Sequence, residues 1–187
     1  MERIKIGSKY IGTNDPTYII AEMSGNHGGS LETALQIVRA AANSGADAIK
    51  LQTYTADTIT LNSNKEDFQL PGESPWSASR TYYQLYKEAF TPWEWHKILF
   101  AEAKKLGIDI FSSPFDETAV DLLEDLGACA YKIASPEVTH IPLLKKVAAT
   151  KKPVIFSTGV AELPDIELAV KTLRDNGCKD IIILKCT

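Results

Sequence analysis

No apolar run in this 187-residue sequence approaches the ~18–20 residues that a membrane-spanning helix needs, so a membrane partner is not expected. Positive charge is not in excess either: 20 Lys and Arg stand against 24 Asp and Glu, a formal net charge of -4. A nucleic-acid surface announces itself through a basic face, so that partner is also not expected. Met1 to Lys9 alternate charged and apolar residues and lack the apolar centre of a secretion signal, which predicts a cytoplasmic location. Cysteine is scarce. Cys129, Cys178 and Cys186 are odd in number and without metal-type spacing, as expected of reduced, buried thiols in a cytosolic protein. What remains is a chain 44% hydrophobic, enough for one globular domain with a sizeable core.

Six short apolar runs recur, each ending in polar or ionisable residues: Tyr18–Met23, Ala48–Gln52, Ile108–Ser113, Ala130–Ser135, Val154–Thr158 and Ile181–Thr187. Between them lie stretches of helical period. These are Leu31–Ser44, Trp93–Leu106, Glu117–Leu126, Pro142–Thr150 and Leu163–Asn176, several of them stopped by glycine. Thr91 is the expected cap of the Trp93 helix, with Pro92 in its first turn. That helix would turn Trp93, His96, Ile98, Leu99 and Ala103 inward.

Strand and helix in alternation require a parallel sheet with right-handed crossovers. An open doubly wound sheet fits that pattern. A TIM (β/α)8-type barrel fits better, because every strand end is polar, whereas a doubly wound sheet gathers its chemistry at one switch point. Six strands and five helices make that barrel incomplete. Residues 1–16 are expected to form a small hairpin under the barrel. Tyr54–Thr91 is a long rim connection with a short helix over Ala78–Phe90, placed to act as a lid.

The chemistry is expected at the carboxyl ends of the strands. Lys50 and Gln52 are two apart and leave one face of their strand. Lys132 sits equivalently on the fourth strand, with Ser135 and Glu137 just beyond. A lysine inside an apolar strand is costly unless it meets an anion. An internal pair with Glu22 would serve, but two such lysines against one glutamate leave positive charge for an external phosphate or carboxylate. Ser113, Ser135 and Ser157 end strands where their hydroxyls can donate to such an anion. Glu22 leads into Ser24-Gly25-Asn26-His27-Gly28-Gly29, a turn that offers Asn26 and His27 to a polar substrate or serves only as a helix entry. His96 and His140 read as structural. Two other functions fit these residues: a Schiff-base aldolase using Lys50 or Lys132 as amine nucleophile, and a non-catalytic module pairing through its open sheet edges.

The runs IIAEMSGNHGGSLETAL, GADAIKLQTYTADTITLNSNKEDF, FSSPFDETAV, YKIASPE and VIFSTG occur in order along the whole chain. Together they resemble the N-terminal barrel part of the sialic acid synthase family, nearest its pseudaminic acid branch. The resemblance implies condensation of phosphoenolpyruvate with an N-acylated amino sugar to a nonulosonic acid, with release of phosphate. It also implies a divalent metal (Mn or Mg), a C-terminal antifreeze-like domain and a homodimer. By the same resemblance, Lys50, Lys132, Ser113, Ser135 and Ser157 hold phosphoenolpyruvate, Glu22 stands near the reacting carbon, and Gln52 and Glu137 stand near the sugar. Two departures appear: SSPF replaces the STPF of some relatives, and KIASPE replaces the KIGSGE of others. The family's metal-binding histidines and its last domain are expected past residue 187. His27, His96 and His140 do not replace those ligands. The chain is therefore expected to be an inactive or weakly active fragment.

Overall fold

The computed structural model describes residues 3–72, 76 and 81–186. The chain opens with an antiparallel hairpin, β1 (Ile4–Ile6) and β2 (Lys9–Ile11), turned at Gly7. Gly7 has φ +52, and a Cβ there would lie 2.2 Å from the Asp109 carboxylate, so only glycine fits. Six parallel strands follow in sequential order as one curled sheet, half of a barrel wall. They are β3 (Ile20–Glu22), β4 (Ala48–Thr53), β5 (Asp109–Pro114), β6 (Tyr131–Ile133), β7 (Val154–Ser157) and β8 (Ile181–Leu184). All six strands lie within the expected runs, apart from one added residue at the ends of β4 and β5.

The helices are α1 (Leu31–Asn43), α2 (Ala56–Ile59), α3 (Tyr82–Ala89), α4 (Trp93–Leu106), α5 (Glu117–Asp125), α6 (Ile141–Ala149) and α7 (Leu163–Asp175). Five match the periodic stretches to within a residue. In the long rim connection α2 and a 3-10 turn over Glu66–Phe68 were not expected. The start of the expected Ala78–Phe90 helix lies outside the described residues, and α3 accounts for the remainder.

Strand alternation divides the core in two. Ile49, Leu51, Tyr131, Ile133, Val154 and Phe156 face outward and pack with helix residues such as Val38, Leu99, Val120, Leu144 and Leu173. Each such side chain contributes about 1.5–3 kcal/mol by leaving water. Ala48, Phe111, Ala130 and Ile155 face inward around Ile6 of the hairpin, which closes the N-terminal end of the sheet. Polar ties fix that closure. Asp109 accepts from the Ser8 N–H at 3.2 Å and the Tyr18 hydroxyl at 2.9 Å, while Asp47 accepts from the Ile19 N–H at 2.6 Å and pairs with Lys9.

Three local expectations are corrected. Pro92, not Thr91, is the cap residue of α4, because the helix begins at Trp93; the Thr91 hydroxyl instead meets His27. Ile98 faces out, and the buried stripe of α4 is His96, Leu99, Phe100 and Ala103. Only Cys178 is fully buried; Cys129 is half-buried and Cys186 is exposed after the β8 edge.

Candidate active site

The inward positions at the carboxyl ends of the strands carry the ionisable groups. Glu22 and Lys50 are register neighbours on β3 and β4, and their side chains form an ion pair of 2.7 Å. The internal pairing considered from the sequence therefore exists for Lys50. Lys132 on β6 is different. Its ammonium donates to the Ile133 carbonyl at 2.8 Å and has no carboxylate within ion-pair distance among the described residues. Burial pushes its pKa down to about 8, and the nearby Lys50 charge pushes the same way, against smaller opposing effects of Glu22, Cys186 and Glu137. Two amines thus repel one another in a buried mouth, and the ammonium of Lys132 lacks a carboxylate at ion-pair distance among the described residues.

Hydroxyls lie at the same ends of the strands. Ser113, beside Gln52 in the β4–β5 register, is 2% exposed, and Ser157 at the end of β7 is also buried. Ser135 follows β6, and its Oγ accepts from the Gly159 N–H at 2.9 Å, joining the loops after β6 and β7. Glu137 lies on the 3-10 turn Ser135–Thr139. Burial raises its pKa, and its Oε2 is buried without a hydrogen-bond partner among the described residues. Tyr86 of α3 stands close enough to feel the Glu137 charge and packs edge-on against Tyr54 at 5.6 Å. The long connection thus reaches the mouth.

The β3–α1 turn divides the two residues assigned to substrate from sequence. Asn26 is exposed on it. His27 is 1% exposed and turned inward: its Nδ1 accepts from the Gly29 N–H at 3.1 Å, and its Nε2 lies 3.2 Å from the Thr91 hydroxyl. His27 thus has no free ring nitrogen for a ligand. Ser24 holds φ +50 within this turn, and a Cβ on Gly25 would meet the Ala89 carbonyl at 3.0 Å. The turn is packed against the segment before α4.

Two features escaped the sequence reading. Cys186 stands at the mouth: a Cβ on Gly159 would touch its Sγ at 3.2 Å and the Ser135 Oγ at 3.2 Å. Thr53, Ser112 and His96 form a buried polar chain behind the site. The only sequence signal for it was polar residues at outward positions of buried strands. The described residues hold no group of three or more His, Cys, Asp and Glu side chains able to take a metal ion. The metal implied by the resemblance does not fit the described residues.

The chain is similar to several known proteins. A pseudaminic acid synthase from Campylobacter jejuni is 45% identical over 175 residues, covering 94% of this chain and 50% of that protein. An N,N'-diacetyllegionaminic acid synthase from Legionella pneumophila is 37% identical over 97% of the chain and 51% of its own length. The crystal structure of an N-acetylneuraminic acid synthetase from Leptospira borgpetersenii superposes with a TM-score of 0.82 at 33% identity, covering all of this chain and 59% of that one. The chain spans about half the length of the curated relatives it matches. The NeuB family model matches residues 37–187, and the chain belongs to the NeuB family, whose named members here are nonulosonic acid synthases.

Proposed function

We propose that this chain supplies the phosphoenolpyruvate-binding wall of a site that condenses phosphoenolpyruvate with an N-acylated amino sugar, pseudaminic acid being the favoured product. The observation that carries the reading is Lys132, a buried ammonium beside Lys50 with no carboxylate partner among the described residues. A small polyanion satisfies both amines at once, and the hydroxyls of Ser113, Ser135 and Ser157 lie at the same rim to donate to its oxygens. Lys50 and Lys132 neutralise phosphate and carboxylate. Glu22, paired with Lys50, is placed to stabilise positive charge developing at the carbon between those groups. Glu137, whose pKa burial raises, would give or take a proton on the sugar side with Gln52 and Asn26. The 45% identity to a pseudaminic acid synthase favours that acceptor branch over the others.

Titration calorimetry with phosphoenolpyruvate tests the reading. Lys132→Met should weaken binding about 10- to 100-fold, the loss expected of a hydrogen bond to a charged group. Unchanged affinity would end it. The depressed pKa of Lys132, about 8, also favours a second reading, an amine nucleophile forming a Schiff base with a keto acid. Borohydride with pyruvate separates the two: a reduced adduct on Lys132 supports the aldolase, and an unmodified lysine supports the synthase.

A further inference from the structure

Behind the mouth, on the opposite side of the same strands, the first turns of α4 gather three rim segments. His96 is 0% exposed; its Nε2 lies 2.9 Å from the Thr53 hydroxyl, which in turn lies 2.7 Å from the Ser112 hydroxyl. Its Nδ1 lies 3.2 Å from the Pro92 carbonyl. Thr53 directly follows Gln52 on β4, and Ser112 directly precedes Ser113 on β5. His27 ties the β3–α1 turn to Thr91, just before α4, and its ring meets that of Trp95 edge-on at 5.4 Å. Trp93 donates from Nε1 to the Tyr54 carbonyl at 3.3 Å.

The partners settle both tautomers. A carbonyl only accepts, so His96 carries a proton on Nδ1; in the neutral ring its Nε2 then accepts from Thr53, and the Thr53 oxygen is left to accept from Ser112. A backbone N–H only donates, so His27 accepts at Nδ1 and carries its proton on Nε2, donating to Thr91. Burial lowers the pKa of both rings, which favours the neutral forms these directions require.

We propose that His96 and His27, rings of opposite tautomer anchored at the start of α4, are positioning residues that set Gln52 and Ser113 and hold the Asn26 turn at the mouth. The role of that mouth rests on the phosphoenolpyruvate reading above; the geometry of the brace does not. The polar chain reaches the site through adjacent residues: a side chain locked on one face of a strand fixes the backbone that aims its neighbour at the other.

The test combines nitrogen-15 histidine spectra with phosphoenolpyruvate titration of the same protein. The expected spectra show His96 protonated at Nδ1 and His27 at Nε2. Thr53→Val, near-isosteric but unable to hydrogen-bond, should move the Gln52 side-chain amide and Ser113 backbone amide resonances. It should also weaken phosphoenolpyruvate binding about threefold or more, as coupled neighbours do, while Thr53→Ser restores both. Ser112→Ala serves as the second lesion if Thr53→Val does not fold. The proposal is overturned by the reverse tautomers, or by variants that melt earlier yet keep wild-type resonances. Correct tautomers and shifted resonances in a protein that ignores phosphoenolpyruvate would uphold the brace and remove the substrate reading alone.

Discussion

Lys50 and Lys132 occupy corresponding inward places on β4 and β6, yet among the described residues only Lys50 has a carboxylate at ion-pair distance, because Glu22 is its register neighbour on the adjoining strand. The depressed pKa of Lys132 gives binding a definite pH dependence. Phosphoenolpyruvate needs the ammonium form, so affinity should hold below about pH 8 and fall as pH rises through that value. The bound anion draws the pKa back up, so binding near pH 8.5 should take up a proton. Calorimetry in two buffers of different ionisation enthalpy measures that uptake, and none at all would contradict the assignment. Linkage gives the stability effect. Between about pH 8 and 10.5 the unfolded chain binds the proton that the folded Lys132 releases, so folding stability rises with pH across that window. Lys132→Met should remove this rise and stabilise the protein by on the order of 1 kcal/mol at pH 7 while weakening the anion site, a trade common at functional positions. The two lysines were legible in the sequence because charge inside apolar runs has few physical excuses. The orientation of His27 was not, since whether a turn histidine faces out or in depends on Thr91 and Trp95, 64 and 68 residues further along.

Among the elements, α4 shows what local pattern reveals and where it stops. Its bounds follow from Pro92 and Gly107, and the apolar spacing identifies the helix. Its cap does not follow. Thr91 has the right chemistry to cap α4, but a tertiary partner claims its hydroxyl, and the turn begins on Pro92 without a side-chain cap. The C-terminus is decided by backbone alone: Gly107 takes φ +71, with open space where a Cβ would lie. Gly107→Ala should therefore cost about 1–2 kcal/mol through left-handed strain and nothing through clash, read as a lowered melting temperature. Phosphoenolpyruvate binding should be unchanged, because the brace lies at the other end of the helix. The long β4–α4 connection was recognisable as rim material from its length. Its internal α2 and 3-10 turn were not, as four- and three-residue helices leave almost no periodicity to detect.

For the whole molecule, the sequential order β3 to β8 curls the sheet without joining its two outer strands, so among the described residues β3 and β8 each pair on one side only. Fold class was readable because alternating strands and helices leave few topologies, and the curl follows from strand twist. Between the two edges runs a trough of about 400 Å³ lined by Ile20, Ile155, Ile182, Leu184, Pro16 and Tyr18. The edge strand itself is apolar: Leu184 is exposed on the trough side of β8 and Ile183 on its helix side. An unpaired, apolar edge strand is a template for another strand. The 187-residue chain alone should consequently associate with increasing concentration, measurable by light scattering behind size exclusion. Ile183 is half exposed and points to the helix side of β8, away from the mouth, so Ile183→Lys places a charge on the edge at little cost to the core. That variant should stay monomeric at concentrations where the parent chain associates and should bind phosphoenolpyruvate as the parent does. Equal association by both would locate the contact away from β8, and lost binding would mean that the edge and the anion site are mechanically coupled through β7.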